Sequence, residues 1–191
     1  MTVTKHTIAT RFLHMGVALL VLWQLGASLV MQGPEGTQTG DLLFSAHNYV
    51  GLATLGLLLL FWLNVAVRRQ GSPSAALFPW FLAERRADVW SDIRRHAASM
   101  KKLRFPPHED SSALASAIHG LGLLLMTLMA ATGATWWVTQ PSATAGVFRE
   151  AHALLANLAW VYLIAHGGLA VLHHLRREAS LANMWSLRRP N

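Results

Sequence analysis

Cysteine is absent from all 191 residues. Its absence excludes disulfides, thiolate metal sites, iron–sulfur clusters and haem tethered through Cys-x-x-Cys-His. Charge is also scarce: Asp, Glu, Lys and Arg make up 13% of the chain, against about one quarter in an average soluble domain. Four blocks, Phe12–Pro34, Leu42–Val67, Ser111–Phe148 and Ala151–Leu175, contain none of these residues at all. Crossing a bilayer core as helix takes roughly 20 mostly apolar residues, so each block is long enough. A soluble four-helix bundle would keep a polar stripe on every helix, and Leu55–Leu63 and Leu121–Met129 have almost none. The expectation is an all-α integral membrane protein: an antiparallel up-down four-helix bundle with helices near 10–32, 42–67, 112–138 and 148–175. Phe12–Met31 lacks a clear small-residue cleavage site and reads as a retained first helix rather than a secretory signal.

The charge that is present lies mostly at one end. Of 16 Lys and Arg, two precede the first helix, nine lie between the second and third (Arg68 to Arg104), and four follow the fourth. Arg149 is the single one between the third and fourth helices. The positive-inside rule then predicts both termini and the 68–110 loop in the cytoplasm. The net charge of +7 thus records topology, with anionic lipid or a partner as a secondary use and no nucleic-acid binding. The loops Gln32–Gly40 and Thr139–Gly146 are short and rich in turn formers, which makes sequential helices antiparallel neighbours. Within the long loop, Ala87–Arg104 alternates apolar and basic positions as a surface helix does, and Phe105-Pro-Pro107 is expected to end it. No internal repeat is visible, so residues 1–191 read as one domain.

Chemistry in such a chain is sought among ionisable residues at membrane depth, which are costly and mark functional sites. Five of the ten histidines qualify: His14, His47, His119, His152 and His166. His6, His96, His108, His173 and His174 fall in loops or at basic ends and read as interfacial. Fourteen residues, close to four helical turns, separate His152 from His166, so both occupy one face about 21 Å apart. Helix direction places His47 and His152 at the outer level and His14 and His166 at the inner level. A small residue follows each of the four at the i+4 position (Ala18, Gly51, Ala156, Ala170), on the same face, where a flat macrocycle needs room. At His119 that position is Leu123, which disfavours it as an axial ligand. Two imidazoles opposed across an iron leave no open position, which suits a six-coordinate b-type haem that shuttles electrons. Two such haems, bound non-covalently, are expected. Arg11, Arg149, Asn48 and Ser45 are candidates to meet propionates at the rims, and His119 to contact a propionate or quinone. The tryptophans fit an aromatic belt or helix packing.

The ordered motifs resemble the bacterial cytochrome b561 family and its relatives, the membrane cytochrome b subunits of nickel–iron hydrogenases and formate dehydrogenases. They are Arg11-Phe-Leu-His14, Ala46-His47-Asn48-Tyr-Val-Gly51, Ala117-Ile-His119-Gly120, Glu150-Ala-His152-Ala-Leu-Leu-Ala156, Ile164-Ala-His166-Gly-Gly168 and His173-His174-Leu175. The resemblance implies that His14/His166 ligate a cytoplasmic haem and His47/His152 an outer one. It further implies exchange with ubiquinone or another quinone, with electrons arriving from a periplasmic cytochrome or from a dehydrogenase or hydrogenase subunit. The long basic loop, with its Trp90, looks more like the enzyme-subunit branch than the simplest free-standing members. A stand-alone superoxide:quinone oxidoreductase, an activity among the relatives, is the alternative, thinly supported by one outer arginine. A transition-metal transporter is a remote third reading, since such sites usually recruit carboxylates or sulfur.

Overall fold

The computed structural model describes residues 6–35, 37, 39–102, 112–177 and 181–185. It is all-helical, and four of its helices are long and apolar enough to cross a membrane: α1 (Ile8–Ala27), α2 (Leu42–Val67), α5 (Ala113–Thr139) and α6 (Ala143–Leu175). Between α2 and α5 lie a one-turn helix α3 (Ser74–Leu77), a 3-10 turn over Pro79–Phe81, and α4 (Ala83–Lys101); a short α7 (Ala182–Trp185) follows α6.

Local chemistry sets the helix ends. Thr7 caps α1 by accepting the Thr10 N–H at 3.1 Å, so α1 starts before the expected residue 10. It stops at Ala27 rather than near 32, because the chain tightens into i→i+3 bonds from Leu29 to Gly26 and from Val30 to Ala27. Asp41 caps α2 through the Phe44 N–H at 2.7 Å, and its second carboxylate oxygen accepts the Gln32 N–H, closing the neck of the first loop. The second loop is shorter than expected. Helix α6 begins at Ala143, not 148, so Arg149 and Glu150 lie about two turns inside it rather than at its first residues. At 33 residues it is about 50 Å long, which exceeds a bilayer core and leaves those charges near its end. Helix α4 begins four residues before the expected Ala87; Phe105–Pro107, His108 and Arg104 lie outside the described residues.

Lipid chains are as apolar as leucine, so close fit between helices matters more than burial from water. Helix α5 packs on both α6 and α2, and α2 packs on α1. The α5–α6 seam uses glycine: a Cβ on Gly122 would meet the Tyr162 hydroxyl, and one on Gly133 would meet the His152 ring. These contacts and the His119–His166 pair fall at the same antiparallel register. Trp62 Nε1–H donates to Thr127 Oγ1 at 2.9 Å, tying α2 to α5. At mid-depth all four spans meet in one apolar septum: Val21 and Leu25 of α1, Leu58 of α2, Met126 and Met129 of α5, and Ala159 of α6. Leu58 and Ala159 have no exposed surface.

Candidate functional site

The septum divides two histidine levels. Ala159 is seven residues from both His152 and His166, so each level stands about 10 Å from it along α6. Among the described residues α6 packs extensively on α5 alone. It reaches α1 and α2 through the septum and through its histidines, rather than along a continuous helical seam.

At the end of the bundle where α2 and α6 begin, His47 and His152 face each other with ring centroids 6.1 Å apart and planes at 89°. His152 Nδ1–H donates to the Met129 carbonyl at 2.8 Å. That bond selects the tautomer whose Nε2 carries the free lone pair. The backbone around His47 is held in turn, because Gln24 Nε2 donates to the His47 carbonyl at 3.0 Å. Gln24 is buried, and Gly51 leaves room for it: a Cβ there would come within 2.8 Å of Gln24 Nε2. Neither Gln24 nor Gly133 is among the residues expected from the sequence. Gln24 carries a signal, being a lone amide deep in an apolar span; Gly133 carries none until α5 is docked on α6.

At the basic end, where α1 and α5 begin, the arrangement is less symmetrical. His166 is stacked on Tyr162, with centroids 5.2 Å apart and planes within 9°, and meets His119 edge-on at 5.3 Å. His14 lies within Coulombic reach of His166 and makes an edge contact with Trp185 of α7 at 6.4 Å. The structure therefore puts His119, on the neighbouring helix, in ring contact with His166. Arg11, one turn before His14, is only 4% exposed. Nearby, Thr10 Oγ1 accepts from Asn64 Nδ2 at 2.9 Å and from Arg68 Nη1 at 3.4 Å, while Arg68 Nη2 donates to the Ser72 carbonyl. Burial pushes the Arg68 guanidinium below its ordinary value. Ser45 and Asn48 are half-buried on α2, and Arg149 is exposed at the far end of α6.

These residues fit a flat, iron-bearing ring. Metal–nitrogen bonds of about 2 Å on either side of one ion put two imidazole centroids roughly 6 Å apart, the separation of His47 and His152. Planes at right angles can share one nitrogen–metal–nitrogen axis. Buried Nδ1 atoms of His14 and His47 have no hydrogen-bond partner, and an unsatisfied buried polar atom is costly unless something else satisfies it. Among the described residues no three or more His, Cys, Asp or Glu gather as a bare-ion cage.

Comparison with known proteins agrees with this chemistry. The sequence profile of prokaryotic cytochrome b561 matches residues 5–187. Among curated proteins and solved structures, none matches the chain. With nearly its whole length covered, the chain belongs to the prokaryotic cytochrome b561 family, and its function is haem b electron transfer in a membrane.

Proposed function

We propose that this chain is a single-domain, di-haem electron carrier of the bacterial cytoplasmic membrane, with both termini cytoplasmic. In this reading it passes electrons between a periplasmic or partner-subunit donor and the quinone pool. The observation that carries the proposal is the His47–His152 pair, correctly spaced, with His152 held in the ligating tautomer. The offset to His166, close to four turns, supports a second site at the other level.

Bound haem supplies a reversible one-electron couple. The chain's own residues hold and orient it. His47 and His152 bind the outer ring, with Met129 and Gln24 setting their orientation. His14 and His166 bind the inner ring, with Tyr162 fixing the plane of the His166 imidazole. Arg11 and Arg68, at the same end, offer cations for propionates. His119 is placed beside His166 to contact a quinone or a propionate rather than the iron: at 5.3 Å its ring stands closer to His166 than the roughly 6 Å of two ligands across one ion. Fifteen of the sixteen basic residues fall in segments at the basic end, which supports the cytoplasmic placement of the termini.

The test is haem content by pyridine haemochrome, with reduced-minus-oxidised spectra of detergent-purified protein. The expected result is about two haems per chain. His47→Ala, His14→Ala and His166→Ala should each lose one, while His119→Ala keeps both but slows quinone reduction. Retention of both haems in His14→Ala with loss of one in His119→Ala would reassign the inner ligand. A folded protein with no haem would refute the reading.

A further inference from the structure

The segment between α2 and α5 presents a face that the bundle does not use. Inside it, α3 and the 3-10 turn are packed below the ends of the spans. Phe78 stacks on Trp62 at 5.3 Å with planes within 13°, and the Leu77 carbonyl crosses α5 at Gly120, where a Cβ would collide with it. Trp62 is five residues inside the end of α2 and Gly120 seven inside the start of α5, depths of roughly 8–10 Å. The chain then emerges through Trp80, Phe81 and Leu82, all exposed, Phe81 at 84%.

Helix α4 follows, docked at the start of α5. One face docks: Val89 is buried, and Asp92 accepts from the Leu114 N–H and from Ser112 Oγ at the start of α5. Asp88 lines the same polar pocket against α5. On another face, Arg86, Trp90, Ile93, Ala97 and Met100 recur every three or four residues and share one side of the helix. All five are exposed, Trp90 at 54%. Beside them the Arg94 guanidinium lies over the Trp90 ring at 5.3 Å, and Lys101 follows Met100. An exposed apolar stripe edged with cations and tryptophan has the composition of a helix lying in the lipid–water interface.

We propose that this face of α4 seats in an anionic phospholipid surface, with Trp90, Ile93 and Met100 among acyl chains and Arg86, Arg94 and Lys101 on headgroup phosphates. Charge complementarity selects anionic lipid: the acids Asp88 and Asp92 are turned away toward α5, and the stripe is bordered by cations. Continuity selects a bilayer over a soluble partner, because Leu77 and Phe78, shortly before α4, pack within the depth of the spans. The inference does not depend on haem number or ligand assignment.

The cysteine-free chain makes the test direct. A nitroxide is attached at Ile93→Cys or Met100→Cys, with Ala98→Cys on a different exposed side as control. The haem-loaded full chain is reconstituted in phosphatidylcholine vesicles with and without phosphatidylglycerol. Collision with oxygen and with a water-soluble nickel reagent is read by electron paramagnetic resonance. With phosphatidylglycerol, positions 93 and 100 should be reached by oxygen and shielded from nickel, and position 98 the reverse. Replacing Arg86, Arg94 and Lys101 with Gln should weaken seating by about fivefold per charge and return position 93 to the nickel reagent. Equal shielding without anionic lipid would overturn the phosphate assignment. Nickel access at positions 93 and 100 in both membranes would overturn the proposal and leave the face to a soluble partner or to water.

Discussion

At the scale of single residues, the site depends on atoms that are missing as much as on those present. Gly133 lets α5 approach so closely that an added Cβ would stand 3.1 Å from both Cε1 and Nδ1 of His152. The ring has little freedom to retreat, because its Nδ1–H is held by Met129. Gly133→Val is therefore expected to cost about 1–3 kcal/mol by overpacking and to displace that imidazole. On the di-haem proposal, the measurable outcome is loss of one haem per chain with helicity by circular dichroism unchanged. The contrasting position is Gly146, where a Cβ meets nothing within 4 Å; Gly146→Ala should keep full haem content. The His119–His166–Tyr162 cluster follows the same logic of register: three rings on two helices meet because α5 and α6 run antiparallel with glycines setting their separation.

At the scale of elements, α4 is tied to α5 by one carboxylate. Asp92 accepts from the Leu114 N–H at 3.1 Å and Ser112 Oγ at 3.0 Å, and pairs with Arg95 at 2.9 Å. Burial alone would raise its pKa, but these hydrogen bonds at the helix N-terminus, with Arg95, outweigh it and hold the carboxyl below its ordinary value. A depressed folded-state pKa means that the contribution to docking is fully present above the ordinary carboxylate pKa, about 4. It is lost as pH falls through the lower folded-state value. Limited proteolysis within α4 should therefore accelerate below about pH 4 and stay flat from neutrality down to it. Asp92→Ala should accelerate it already at neutral pH, by a loss of about 1 kcal/mol as for removal of other helix-capping side chains. Unchanged cleavage in Asp92→Ala would show that the apolar contacts of Val89 and the 3-10 turn suffice.

At the scale of the whole molecule, the septum joins the four spans between the two histidine levels. Ala159 is its smallest member, fully buried midway along α6. Ala159→Leu should push α6 away from Leu58 and the two methionines, destabilising the bundle by about 1–3 kcal/mol. On the di-haem proposal, and because both histidine levels lie on α6, the variant should perturb the spectra of both haems, whereas Gly133→Val perturbs one. Thermal loss of the haem absorbance in detergent, followed at two wavelengths, separates these outcomes.

Some of this protein was legible along the chain. Four uncharged blocks defined four spans, because charge in hydrocarbon is costly and only helix satisfies a lone backbone there. The 14-residue spacing put His152 and His166 on one face, since helical periodicity fixes depth and azimuth within a single helix. The basic residues marked one end. Other features had no one-dimensional signature. The helix ends moved because Thr7 and the turns after Ala27 are local hydrogen-bond choices, and α6 gained about a turn and a half because Ala143–Phe148 holds no proline and its one glycine, Gly146, does not break the helix. Which face of α5 meets α6 depends on Gly122 and Gly133 finding Tyr162 and His152. The approach of His119 to His166, the support of His47 by Gln24 and the descent of α3 onto Gly120 likewise exist only once helices are docked. Periodicity assigns each side chain a height and a direction on its own helix; the partner it meets is decided by how neighbouring helices rotate to bring small residues against large ones.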